Sequence, residues 1–127
     1  MKDGKGHIDM ELTFVHHNTL WWGESFKFVI DSGACLGEGS ILKEKPEELF
    51  IHGLSTHKDR RCNGLATFCL HELENLAREK GLKTIALWVD VDKPDNLSFY
   101  VKRGFVERMR DDTIIEMAKE IRYGTID

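Results

Sequence analysis

Apolar and polar residues alternate from Ile8 to Phe14, with Ile8, Met10, Leu12 and Phe14 on one side and Asp9, Glu11 and Thr13 on the other. A period of two predicts a half-buried strand. His16-His17-Asn18-Thr19 breaks the alternation and reads as the strand's end. Trp21 and Trp22 beside Gly23 read as a packing patch, with a ligand-facing or interface role as the alternative. Phe26, Phe28 and Ile30 alternate with Lys27, Val29 and Asp31 as a second strand, and Asp31-Ser32-Gly33 reads as a hairpin turn. A third strand is expected from Ala34 to Lys43. Gly37 and Gly39 inside it point to a bulge or a close backbone approach. The charged loop Lys43-Glu44-Lys45-Pro46-Glu47 leads to a fourth strand from Glu48 to Thr56.

The period then changes. Leu65, Ala66, Cys69, Leu70, Leu73, Leu76 and Ala77 recur at helical spacing, and Gly81 supplies a stop. His71, Glu72, Glu74, Asn75, Arg78 and Glu79 are expected on the solvent side of this longest helix. Thr84 to Val89 is dense in apolar residues, as expected of a central strand. An acidic loop from Asp90 to Asp95, a short helix from Leu97 to Lys102 stopped by Gly104, and strands from Phe105 to Arg108 and Thr113 to Lys119 complete the chain. Strands first, then strand–helix–strand–helix–strand, is an α+β or mixed α/β order.

Composition narrows the class. A length of 127 residues suits one domain, 1–127, and 41% hydrophobic with 31% charged residues suits a globular protein. No apolar run reaches a membrane span, and the N-terminus has no apolar core like that of a signal peptide, so the default location is cytoplasmic and no membrane partner is expected. A net charge of −4 argues against nucleic acid. Three cysteines without C-x-x-C spacing suggest neither a disulfide framework nor a metal site. Cys35 and Cys69 read as small apolar residues, and Cys62 as a bystander in a basic turn.

That turn is the main chemical signal. A strand runs into Lys58, Arg60, Arg61 and Gly64, and a helix opens at Leu65. Backbone amides and the positive end of a helix dipole then meet in one place, which suits a phosphate. Gly64 and Ala66 keep side chains out of the helix mouth. The turn is neither a Walker loop nor a dinucleotide fingerprint. A plain surface turn remains the alternative on these residues alone.

The wider context resembles the GNAT acetyltransferase superfamily. Arg61-Cys62-Asn63-Gly64-Leu65-Ala66 is similar to that family's acetyl-CoA loop: Arg or Gln, two residues, Gly, one residue, then Gly or Ala. Phe99-Tyr100-Val101-Lys102-Arg103-Gly104-Phe105 is similar to its Y-x-K-x-G-F signature. The resemblance spans Leu54 to Phe105. It implies a central mixed, mostly antiparallel sheet of six or seven strands with two main helices. It also implies acetyl-CoA as co-substrate, a primary-amine acceptor and no metal.

The same resemblance implies residue roles. Leu54, Ser55 and Thr56 would pair through their backbones with the pantetheine arm, lying like an extra strand. Arg61, Cys62, Asn63, Gly64, Leu65 and Ala66 would hold the pyrophosphate. Asn96, Tyr100 and Lys102 belong to the second signature's side of the donor site, and Tyr100 matches the tyrosine that donates a proton to departing CoA thiolate. An ammonium acceptor must lose a proton before it attacks. In the arylalkylamine branch a histidine nine positions before the loop arginine serves, which here is His52. Glu38 and water are the alternatives. By strand alternation His52, Leu54 and Thr56 would share a face.

Two departures stand out. Lys93 replaces a common asparagine, with Asn96 one helical turn later. Only about His16 to Glu24 separates the first two strands, where the family usually has two helices that build the acceptor pocket. Their absence would bare apolar sheet surface, which Trp21 and Trp22 or a second subunit of a homodimer would cover. A non-catalytic acyl-CoA-binding module and a partner-dependent subunit stand beside the enzyme reading.

Overall fold

The structure, a computed structural model, describes residues 12–30, 35–56 and 64–123. Its elements are β1 (Leu12–Leu20), β2 (Gly23–Ile30), β3 (Cys35–Leu42), β4 (Glu48–Thr56), α1 (Leu65–Glu79), β5 (Thr84–Asp90), α2 (Pro94–Lys102), β6 (Val106–Arg110) and β7 (Ile114–Glu120). The strands form one sheet in the order β1-β2-β3-β4-β5-β7-β6. Among the described residues only β4 and β5 run parallel, joined by the α1 crossover; the other neighbouring pairs are antiparallel. The expected α+β fold with a mixed, mostly antiparallel sheet is what the described residues form.

Both helices pack on one face. Cys69, Leu70, Leu73 and Ala77 of α1 are buried with Phe26, Phe28, Leu49, Ile51, Ile85, Leu87, Phe105, Ile115 and Met117. Arg103, just after α2, donates to Thr67 Oγ1 of α1 from Nε and Nη2, at 3.2 and 2.8 Å. Gly81 at φ +72° closes α1, with Gly81 N–H donating to Arg78 and Leu82 N–H to Ala77. Gly37 makes the predicted close approach: a Cβ there would stand 2.5 Å from Cys69 Sγ and 3.3 Å from Leu73 Cδ1.

Three expectations need correction. β1 does not stop at His16-His17-Asn18-Thr19; those residues pair with Lys27, Phe26, Ser25 and Glu24 of β2. An antiparallel edge strand keeps its ladder while carrying polar side chains, and the His17 ring also stacks on Phe26 at 4.6 Å. Glu74 is not on the solvent side of α1. It is only 9% exposed, because Lys119 of β7 reaches its carboxylate at 3.0 Å. The short helix starts at Pro94 rather than Leu97; proline suits a helix's first turn, where its missing N–H has no partner to lose. The proposed Asp31-Ser32-Gly33 turn and the residues before Leu12 lie outside the described residues.

Candidate active site

The sheet opens at the parallel joint between β4 and β5. β4 and β5 pair from Glu48 with Thr84 to Ile51 with Leu87, and then part. On the other side of β4 the register slips at the same place: Glu38 faces Gly53, but Gly39 faces Ile51. His52 is therefore the extra residue of a β-bulge. A bulge bends its strand and re-aims side chains. Here it turns β4 away from β5 and opens a cleft of about 180 Å³. Ile51, His52, Gly53 and Leu54 line one wall, Leu87 to Asp90 another, and Asn96 and Tyr100 of α2 close it.

The bulge also corrects the expected alternation. Leu54 packs against the helix-side core, its Cδ1 3.7 Å from where a Gly37 Cβ would sit. His52 instead lies edge-on to Phe50 at 5.3 Å and bonds Ser40 Oγ through Nε2 at 2.6 Å. One inserted residue has put His52 and Leu54 on opposite faces. Ser40 is 1% exposed, so the hydroxyl that holds the imidazole is itself fixed.

α1 begins where the strand–turn–helix pattern predicts. Gly64 is its N-cap at φ 79°, ψ 5°, a left-handed conformation that favours glycine. Its N-cap makes no side-chain cap and no acidic residue occupies its first turn. Among the described residues no side chain accepts from the first-turn amides, which stand at the positive end of the dipole. Arg61, Cys62 and Asn63, expected to hold a pyrophosphate, lie outside the described residues, as do the side chains of Thr56 and Leu65. Ala66 is half-buried within the first turn.

Tyr100 packs edge-on against Phe99 and Phe105, at 5.0 and 5.5 Å between centroids. Burial, then the neighbouring thiol of Cys69, push its hydroxyl up to about 12, against the opposing charge of Arg103. The phenol stays protonated through the physiological range. It is also a weaker acid than free tyrosine. Full transfer of its proton to a departing thiolate would therefore run uphill. A hydrogen bond to developing negative charge needs no such transfer. Cys69 stays a thiol: the hydrogen bond it donates to Cys35, then burial, raise its pKa.

Asn96 and Tyr100 share the cleft with His52, Gly53 and Leu54. Ser55 continues along β4, and Lys102 is exposed at the end of α2 and does not line the cleft. His52 borders a second hollow, of about 410 Å³, with Asn18, Trp22, Ser25, Lys27 and Glu38. Glu38, the alternative base, pairs with Lys27 Nζ at 3.7 Å. Sequence reasoning missed Ser40 and Arg103. Arg103 straps α2 to α1 and lies 3.7 Å over the Phe99 ring. Its place inside the second signature was a usable signal; Ser40 had none before the bulge was seen.

The other sheet face carries no helix among the described residues. Phe50 and Trp88 meet there edge-on at 5.2 Å, and Trp88 is 56% exposed. Beside them Arg108 bridges Glu48, at 2.8 and 3.1 Å, and Glu116, at 2.7 Å. Burial pushes the Glu48 carboxyl up, but the Arg108 and Thr84 hydrogen bonds and the Arg108 charge outweigh it and hold it low.

Comparison with known proteins gives one consistent result. Residues 5–105 match the model of the acetyltransferase (GNAT) family. An uncharacterised N-acetyltransferase of Methanocaldococcus jannaschii is 30% identical over 78 residues, which are 61% of this chain but 34% of that protein. The chain thus matches about a third of that relative's length. The PaiA N-acetyltransferase of Thermoplasma acidophilum, solved with coenzyme A, superposes with a TM-score of 0.66 at 22% identity, covering 76% of this chain and 59% of that one. The ribosomal-protein-S18-alanine N-acetyltransferase of Escherichia coli gives 0.66 at 18% identity, covering 84% and 74%. The structural matches speak for the fold, the family model covers most of the sequence, and the chain belongs to the acetyltransferase (GNAT) family.

Proposed function

We propose that this protein moves an acetyl group from acetyl-CoA directly to a primary amine. The observation that carries the proposal is the bulge at His52. It opens the cleft between β4 and β5, and it sets an imidazole between that cleft and the hollow beyond. The unpaired edges of the two strands suit a strand-like pantetheine arm, and the uncapped start of α1 suits a pyrophosphate.

Acetyl-CoA would supply an activated acyl group as its thioester. The backbone around Gly53 to Thr56 binds and orients the arm. Arg61 to Ala66 hold the phosphates, and Asn96 lines the same cleft. His52 Nδ1, left free by the Ser40 bond at Nε2, takes the proton from the acceptor ammonium, directly or through water. Glu38 is the alternative base. The Tyr100 hydroxyl donates a hydrogen bond to the departing sulfur. A module that binds acyl-CoA without turnover, or a subunit completed by a partner, is the second reading; exposed Trp88 on the open face favours it.

The test follows CoA release with acetyl-CoA and a panel of amines, amino acids, polyamines and peptides, with mass spectrometry of the acceptor. An acetylated amine formed in step with free CoA is expected. Acetyl-CoA binding without any acetylated product would replace the enzyme reading with the binding module.

A further inference from the structure

The hollow beside His52 has a chemistry that the donor half of the site does not explain. It lies on the sheet face that carries no helix among the described residues, and its volume of about 410 Å³ is in the range of small-molecule pockets. Strand register sets its floor. Asn18, Ser25 and Ser40 align across β1, β2 and β3, and Lys27 stands opposite Glu38 in the neighbouring row. Trp22, from the turn between β1 and β2, lines it, as does His52.

The floor therefore offers one cation and one anion side by side. Lys27 and Glu38 are 3.7 Å apart, with side chains 45% and 51% exposed. A pair this open is weakly held, so each member is free to exchange its partner for a ligand group of opposite charge. A plain alkylamine or polyamine would satisfy Glu38 and be repelled by Lys27. A ligand with an ammonium beside a carboxylate satisfies both, and Trp22 supplies an apolar surface for its side chain.

We infer that this hollow is the acceptor site and that its acceptor is a free amino acid. Its α-amino group faces His52 and Glu38, its carboxylate pairs with Lys27, and an apolar or aromatic side chain lies on Trp22. This rests on the acetyltransfer reading above and names its substrate class. On transfer, the acceptor nitrogen gains the acetyl group as an amide, the carbon–sulfur bond of the thioester breaks, and CoA leaves as its thiol. The ammonium gives up two protons, one that ends on the departing sulfur and one that is released.

The test compares acceptors that share a side chain: phenylalanine, phenylalanine amide, phenethylamine and a dipeptide with N-terminal phenylalanine. The full chain is used with acetyl-CoA present, and kcat/KM is read for each. Phenylalanine is expected to exceed the amide and phenethylamine by roughly tenfold or more, the worth of one charge-assisted bond. Lys27→Glu is expected to reverse the ranking, lowering phenylalanine and raising phenethylamine; circular dichroism checks that the variant is folded. Phenethylamine or the dipeptide preferred by the natural chain, a ranking unmoved by Lys27→Glu, or no turnover of phenylalanine would each overturn the inference. Turnover of other amines in that last case leaves acetyltransfer standing and removes only the amino-acid class. No turnover of any amine, with acetyl-CoA binding confirmed by calorimetry, removes both.

Discussion

Ser40→Ala tests how His52 is held. The natural hydroxyl lies 2.6 Å from His52 Nε2 and is 1% exposed, whereas His52 stands at the surface. Alanine deletes the bond without leaving a buried polar group unpaired, and the freed imidazole nitrogen can take up water. The stability loss should then be that of one ordinary hydrogen bond, about 1 kcal/mol. For a domain of this size that is a fall of about 4 °C in Tm. The effect on turnover comes from orientation. An imidazole released from Ser40 no longer presents Nδ1 in one direction, and kcat/KM should fall roughly three- to tenfold. The assay pairs thermal unfolding with steady-state kinetics, using His52→Gln as reference, which should lower kcat/KM by about a hundredfold. Ser40→Ala with a lower Tm but unchanged kcat/KM would make Ser40 merely structural. An unchanged kcat/KM in His52→Gln would refute the base assignment and favour Glu38.

Tyr100→Phe should lower kcat by about ten- to a hundredfold while acetyl-CoA affinity stays within about twofold, as steady-state kinetics and calorimetry would show; an unchanged kcat removes the tyrosine from the reaction. Gly37→Ala should cost about 1–3 kcal/mol in denaturant unfolding, because the new methyl would meet Cys69 Sγ at 2.5 Å inside a sealed core; an unchanged midpoint would mean that α1 is not seated as described. Arg108→Met leaves the Glu48 and Glu116 carboxylates facing each other and should cost on the order of 2 kcal/mol at neutral pH. Glu48 is held below its ordinary value of 4.5, so its contribution is present above that value and lost as pH falls through the lower folded one. The deficit of Arg108→Met should therefore shrink in acid, and a deficit that persists there would refute the network.

The parts of the fold that depend on local pattern were legible in the chain. The switch from period two to helical spacing at Leu65, the stop at Gly81 and the fourth strand from Glu48 to Thr56 all stand where periodicity puts them. What was not legible depends on neighbours. β5 reads as a dense apolar central strand, yet Trp88 is 56% exposed, because nothing among the described residues covers the face it shares with Phe50. Glu74 reads as solvated until Lys119 arrives from β7. The bulge is the clearest case. Gly37 and Gly39 hinted at an irregularity, but its position, opposite the Glu38–Gly39 step, exists only once β3 and β4 are paired. His52 could thus be chosen by counting back from Arg61, while its face, and its tie to Ser40, could not.

Backbone amide NMR of the isotope-labelled chain, titrated with acetyl-CoA, tests the donor site most directly. Shifts concentrated at Gly53 to Ser55, at Gly64 to Ala66 and along Asn96 to Tyr100 are expected, with β6 and the C-terminal end of α1 unmoved. Saturating acetyl-CoA that leaves those amides in place, or moves only residues elsewhere on the sheet, would contradict the assignment of the β4–β5 cleft and the start of α1 as the acetyl-CoA site.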